Sequence, residues 1–234
     1  TNEFEVTSRD NTAVFTQALL DFSPFAIQAS LRYDDNEAYG DEVTGSLALG
    51  YELDNYHTLR ASIGTAFKAP SFNDLYWPNS GNPDLNPEKS ETVEVGVRGQ
   101  YSQWFWDVAV FQNDYDDLIA WAPTPSGLWA PQNVNNARIR GAELSSGVEV
   151  NDWVLQAAYT YLDPEDQETG NRLARRASQS VRLDADRELG DWSLGGSLVA
   201  QGYRYDNASN TQRLGGYGLV NLRAGWQFAP LWTA

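Results

Sequence analysis

Apolar and polar residues alternate one for one through most of this chain. That period belongs to β-strands whose two faces meet different surroundings. From Thr92 to Tyr101, Val93, Val95, Val97 and Tyr101 share one face, and Thr92, Glu94, Arg98 and Gln100 the other. From Thr58 to Lys68, Leu59, Ala61, Ile63 and Phe67 oppose Thr58, Arg60, Ser62 and Lys68. The same split separates Val43, Leu47, Leu49, Tyr51 and Leu53 from Thr44, Ser46 and Glu52. It sets Val181, Leu183 and Ala185 against Ser180, Arg182, Asp184 and Asp186, and Val220, Leu222, Ala224, Trp226 and Phe228 against Asn221, Arg223 and Gln227. Eleven segments read this way, roughly 13–22, 25–34, 42–53, 57–68, 90–101, 103–115, 137–150, 153–162, 177–187, 191–205 and 216–228. Most have the ~9–11 residues that a tilted strand needs to cross a bilayer. No 3.6-residue stripe competes, and no apolar run approaches the ~18 residues of a membrane-spanning helix. The chain is predicted to be all-β.

The connections alternate between tight and long. Ser23-Pro24, Asp54-Asn55-Tyr56, Ser102-Gln103, Asn151-Asp152, Gly190-Asp191 and Ala229-Pro230 are short; polar links at about 35–41, 69–89, 116–136, 163–176 and 206–215 lie between them. Such alternation trims one end of a sheet and elaborates the other, as in an antiparallel up-and-down transmembrane β-barrel with short periplasmic turns and longer outer loops. Arg60, Lys68, Glu94, Arg98, Arg182, Asp184 and Arg223 lie on the polar face. Mid-strand Arg or Lys facing lipid costs about 2–4 kcal/mol, so this face is expected to line the interior. Tyr51, Tyr101, Trp104, Trp106, Trp153, Trp192 and Trp226 stand near strand ends, where they would form an interfacial girdle. The competing reading is a soluble meander whose aromatics fill a core. Aromatics gathered beside the short turns favour the membrane reading. Eleven strands leave two unpaired edges, and Leu231-Trp232-Thr233-Ala234 reads as the start of a twelfth.

Composition narrows the function. Cysteine is absent, which removes disulfides, thiolate metal sites and Cys nucleophiles. The formal net charge is −16, which would repel a nucleic acid that binds through phosphate neutralisation. Nine Trp and 12 Tyr are too many for a disordered acidic chain. With no Met and a start at Thr1 in mid-pattern, the chain is expected to be a piece of a longer protein, its targeting segment upstream.

Several motifs carry a family resemblance. Gly64-Thr65-Ala66-Phe67-Lys68-Ala69-Pro70-Ser71-Phe72-Asn73-Asp74-Leu75-Tyr76, followed by Gly81-Asn82-Pro83-Asp84-Leu85-Asn86-Pro87-Glu88-Lys89-Ser90-Glu91, resembles the strand-to-loop signature of TonB-dependent outer-membrane receptors. So do Asn113-Asp114-Tyr115-Asp116-Asp117-Leu118-Ile119 and Asn135-Asn136-Ala137-Arg138-Ile139-Arg140-Gly141-Ala142-Glu143. Arg9-Asp10-Asn11-Thr12-Ala13-Val14-Phe15 is most similar to the vitamin B12 (cobalamin) receptor branch. The resemblance runs through nearly the whole chain. It implies a 22-stranded barrel occluded by an N-terminal plug, of which residues 1–234 would be part of the C-terminal barrel region, about half of it, with 11–12 strands. It also implies monomeric residence among outer-membrane lipid and lipopolysaccharide of a Gram-negative bacterium, and TonB-powered import through the plug. Lys68-Ala69-Pro70 would end a strand, and Asn82-Pro83 and Asn86-Pro87 would initiate turns that stiffen the 69–89 loop. Gly141 would permit a close backbone approach or a bulge.

No catalytic constellation stands out. The single histidine, His57, lies beside a short turn, no Gly-rich phosphate loop opens a helix, and carboxylates are too common here to mark a glycosidase. Two acidic clusters could offer calcium its hard oxygen ligands: Asp34, Asp35, Glu37, Asp41 and Glu42 in one outer loop, and Asp114, Asp116 and Asp117 at another strand mouth. The alternative is a solvated acidic rim, or one bridged to lipopolysaccharide by divalent ions. No other cofactor is implied. Outer-loop aromatics with polar neighbours, Tyr76, Trp77 and Asn79, then Trp121, Trp129 and Asn133, are candidates to hold a bulky amphipathic nutrient, against a plain loop-packing role. The reading is a cobalamin receptor. A siderophore or other metal-chelate receptor, a passive porin-like channel and an outer-membrane hydrolase are its rivals.

Overall fold

The computed structural model describes residues 4, 6–124, 127–230, 232 and 233. The strands are β1 (Asn11–Phe22), β2 (Phe25–Asn36), β3 (Gly40–Glu52), β4 (His57–Lys68), β5 (Glu88–Gln100), β6 (Trp104–Pro123) and β7 (Trp129–Val150). They continue as β8 (Trp153–Asp166), β9 (Gln179–Leu189), β10 (Trp192–Gln201), β11 (Arg204–Tyr205), β12 (Arg213–Leu214), β13 (Tyr217–Ala229) and β14 (Trp232–Thr233). A single antiparallel 12-stranded sheet runs β1-β2-β3-β4-β5-β6-β7-β8-β9-β10-β13-β14. β11 and β12 form a separate ribbon, so the chain leaves the sheet after β10 and re-enters it at β13. Every step is a hairpin or a loop returning to the adjacent strand, the up-and-down order that the alternation predicts. β14 supplies the twelfth strand; Leu231 and Ala234 lie outside the described residues.

Several elements differ from the sequence reading; β8, for one, runs on to Asp166 into the expected 163–176 loop. The expected 116–136 loop is mostly strand: β6 has 20 residues and β7 has 22, pairing up to Pro123↔Trp129. At ~3.3 Å per residue, this hairpin rises well beyond a bilayer. The expected 35–41 loop shortens to a turn between Asn36 and Gly40. The expected 191–205 strand stops at Gln201. A short helix, α1 (Phe72–Tyr76), sits in the 69–87 loop, closed by a capping box between Ser71 and Asp74. Five residues are too few to reveal a helical period.

Register carries each face across the sheet. Leu20, Ile27, Leu49, Ala61, Val95, Val110, Ala142 and Tyr161 form one row of successive partners. On the opposite face Gly50, Arg60, Gly96, Ala109, Glu143, Thr160, Ser180 and Gln201 form another. The apolar row is the open one: Val110 is 53% exposed, whereas Ala109 on the polar side is 3% exposed. Curvature splays side chains on a convex face and crowds those on a concave one, which puts the apolar row outside and the charges inside.

The concave face satisfies its charges across strands. Arg60 on β4 donates to both Asp107 oxygens on β6 at 2.6 and 2.7 Å and to Glu94 on β5 at 3.3 Å. Arg182 holds Asp184 at 2.7 and 2.9 Å, and Arg223 holds Asp186 at 2.6 Å. A Cβ at Gly96 would press on the Arg60 guanidinium, so that glycine leaves the space in which the ion pair forms. On the convex face the aromatics collect beside the short turns. Tyr101 stacks on Trp104 at 4.2 Å, Trp192 on Trp226 at 5.5 Å, and Phe25 meets Tyr51 at 5.0 Å. This is the geometry of an interfacial girdle. Among the described residues no helix is long and apolar enough to cross a membrane.

Candidate ligand site

The long-loop end of the sheet is built around the 69–87 segment. Leu75 of α1 and Leu85 are buried, so the segment has a small core of its own. Trp77, which follows α1, accepts the Ser80 and Gly81 amides on its carbonyl at 3.1 and 2.7 Å. A Cβ at Gly81 would run into the Leu75 carbonyl, so only glycine lets the chain fold back here. The Arg9 guanidinium donates to the Pro70 carbonyl at 3.0 Å and lies over Phe72 and Tyr39. On the other side, Asn82 donates to the Pro131 carbonyl at 3.0 Å. The Asn86 amide donates to Asn133 Oδ1 at 2.9 Å, while Asn133 Nδ2 donates to the carbonyls of Asn86 and Asp117 at 3.0 and 2.7 Å. The segment is thereby fastened to the tall β6–β7 hairpin.

Beneath it, on the concave face, lies a cleft of about 510 Å³. Tyr115, Ile119, Ile139 and Leu173 supply apolar wall, while Lys68, Glu88 and Arg176 supply charge. Lys68 Nζ donates to Glu88 at 2.9 Å and stays 74% exposed, and the other Glu88 oxygen accepts the Ile119 amide at 2.9 Å. Glu88 thus anchors the base of the hairpin while Lys68 stays available at the rim. A concave apolar surface edged by two cations suits a large amphipathic ligand with anionic or hydrogen-bond-accepting groups.

The six residues singled out from sequence divide by location. Tyr76, Trp77 and Asn79 share the α1 segment; Tyr76 packs edge-on against Phe72 at 5.0 Å, and Asn79 takes a left-handed turn conformation (φ 65°). Trp121 and Trp129 stand exposed near the tip of the β6–β7 hairpin, at 42% and 62%. Asn133 spends its whole amide on holding the loop, so its place in the structure is that of a fastener. None of the six lines the cleft. Of the cleft residues, Lys68, Glu88, Tyr115, Leu118, Ile119, Ala137 and Ile139 belong to the motifs read from sequence; Leu173 and Arg176 carried no signal.

The five carboxylates of the β2–β3 hairpin are divided by its pleat. Asp34 and Glu42 are register partners on one face, and Asp35 and Asp41 on the other. Arg32 grips both Asp34 oxygens at 2.7 Å, Lys89 holds Glu42 at 3.0 Å, and Glu37 accepts the Asp10 amide at 3.1 Å. Asp114 is held by Arg138 and Gln112, and Asp117 sits at a bulge with φ 57°. Among the described residues, no group of three or more such side chains is arranged to hold a metal ion.

At the other end of the sheet, His57 Nδ1 lies 2.9 Å from the Asp54 carboxylate and its Nε2 lies 2.9 Å from the Tyr101 hydroxyl. The hydrogen bond from His57 first, then the Tyr56 amide, draws the Asp54 carboxyl below its ordinary pKa. This constellation braces a turn.

A family model described as TonB dependent receptor-like, beta-barrel, matches residues 1–234. The chain belongs to the TonB-dependent receptor β-barrel family. Vitamin B12 transporter BtuB of Photobacterium profundum is 39% identical over 222 residues, covering 93% of this chain and 37% of the relative. Vitamin B12 transporter BtuB of Vibrio vulnificus is 36% identical over 98% of this chain. The chain therefore spans a little over a third of these relatives, 37% of each. Among solved structures, a mutant of the ferric enterobactin receptor PfeA of Pseudomonas aeruginosa has a TM-score of 0.81 at 20% identity, covering 94% of this chain and 38% of its own. The siderophore receptor PirA of Acinetobacter baumannii has a TM-score of 0.79 at 20% identity, with 94% and 40% covered. Those two likenesses establish the receptor-barrel fold. The family is one of receptors and transporters, not of enzymes.

Proposed function

We propose that the full-length receptor carries vitamin B12 across the Gram-negative outer membrane into the periplasm, with energy delivered through TonB. The observation that carries this reading is the 39% and 36% identity to two vitamin B12 transporters across almost all of the chain. In this reading residues 1–234 contribute barrel wall and outer loops, and the plug with its TonB contact lies elsewhere in the longer protein. The receptor sits as a monomer among phospholipid and lipopolysaccharide. The corrinoid would rest over the cleft, its apolar faces against Tyr115 and Ile139, with the exposed Trp121 and Trp129 reaching toward it from the hairpin. No obligate metal is required. A calcium ion at the β2–β3 tip would have to compete with Arg32 for Asp34 and with Lys89 for Glu42.

A ferric chelate is the second reading, favoured by the two cations, Lys68 and Arg176, at the cleft. Titration of the full-length receptor with cyanocobalamin and a panel of ferric siderophores separates the two. The expected result is saturable cobalamin binding at or below micromolar concentration. Chelate binding without cobalamin binding would overturn the proposal.

A further inference from the structure

The convex face carries a second concavity, far from the loops. It has a volume of about 490 Å³ and lies across β8, β9 and β10. Small side chains form its floor: Ala157, Ala185 and Gly196. Leu155, Leu183 and Leu198 form its walls. The register makes this one continuous feature, since Leu155, Ala185 and Gly196 are successive partners, as are Ala157, Leu183 and Leu198.

One outward-facing step nearer the short turns, Arg187 pairs across the strands with Trp153 and Leu194. Its guanidinium lies over the Trp153 ring at 5.6 Å, level with the aromatic girdle. Arg187 Nε is buried with no hydrogen-bond partner, and an Arg187 Nη lies 3.9 Å from a carboxylate oxygen of Asp152, too far for a hydrogen bond. Asp152, in the adjoining turn, is 78% exposed. A partly exposed guanidinium and an open carboxylate therefore stand side by side, one outward-facing step along the strands from the residues that line the apolar groove.

We propose that this groove holds the acyl chain of a phosphoethanolamine-headed phospholipid of the periplasmic leaflet, its phosphate on Arg187 and its ammonium on Asp152. The charges fit in order and sign. A zwitterionic headgroup satisfies both side chains, whereas a purely anionic one would meet the Asp152 carboxylate unfavourably. Short turns mark the periplasmic end of such a barrel, which sets the leaflet. The inference rests on the membrane placement, and recovery of the protein in the outer-membrane fraction tests that placement separately.

Native mass spectrometry of the full-length receptor, incubated with equimolar phosphatidylethanolamine and phosphatidylglycerol, tests the site. The wild type is expected to retain the ethanolamine lipid in preference. Arg187→Gln and Gly196→Leu should each lower its occupancy about fivefold. A Cβ at Gly196 meets only ordinary contacts, 3.5 Å from the Asn221 carbonyl and a Leu222 methyl, so the leucine can occupy the groove without disturbing the strands. Asp152→Asn should abolish the headgroup preference and leave total lipid bound. Heat-shifted gel mobility verifies that each variant is folded. Preference for the glycerol lipid in the wild type, or unchanged occupancy in either Arg187→Gln or Gly196→Leu, would overturn the proposal.

Discussion

Phe111 and Gly141 face one another across β6 and β7, and a Cβ on Gly141 would run into the ring. Gly147 gives way to Phe105 in the same manner, and Gly99 to Trp106. A ring laid over a cross-strand glycine covers backbone that the glycine would leave bare. Sequence alone marked Gly141 as a close backbone approach or a bulge; the structure places the Phe111 ring there in regular register, a partner that lies far away along the chain. Asp54 offers a residue-scale test. Its folded pKa is depressed, chiefly by His57, so its contribution is fully present above the ordinary carboxylate value of about 3.9 and is lost as pH falls through the lower folded value. The Tyr56 and His57 amides, which donate to Asp54 at 2.8 and 2.9 Å, report this directly. Hydrogen-exchange protection factors at these two amides should hold down to about pH 4 and drop below it. Protection that is already lost at or above the ordinary carboxylate value of about 3.9 would contradict the assignment.

Among the elements, the tall β6–β7 hairpin departs most from its sequence. Its membrane-level half, up to Tyr115, alternates cleanly and was legible. Above that, Asp116-Asp117 introduces a bulge, the register shifts between Tyr115 and Leu118, and prolines at 123 and 131 read as loop. Both prolines lie instead near the hairpin tip, and Pro131 is fully buried beneath neighbouring chain. The cleft was illegible for a related reason. Its residues come from β4, β5, β6, β7 and the loop after β8, and only pairings such as Lys68↔Glu88 and Ser90↔Tyr115 bring them together. The structure gives Asn133 the loop-packing role that stood as the alternative to ligand contact. Asn133→Ala removes one acceptor and two donor contacts that fasten the 69–87 segment. Local opening of that segment should become easier by about 1–3 kcal/mol, read as faster exchange at the Asn86 amide with the strands of β4 and β5 unaffected. Equal exchange at Asn86 in the two proteins would show that the clasp is held by packing alone.

For the whole molecule, alternation and turn length sufficed to anticipate a meandering sheet with a trimmed end, an elaborated end and a girdle beside the trimmed one. Both are physical requirements of a chain between hydrocarbon and water, so they are written at every position. In the proposed function the choice of nutrient rests on a few loop side chains, and there the residue pattern left two ligand classes open. Everything rests on the partition of the two faces. Residues 1–234 contain no cysteine, so in a full-length receptor with any cysteine outside them replaced, single cysteines from Ser90 to Gln100 can carry a nitroxide in lipid vesicles. The account predicts collisions with oxygen at Val93, Val95 and Val97, and with a water-soluble nickel chelate at Thr92 and Glu94. Reversed phase, or no alternation along β5, would contradict it.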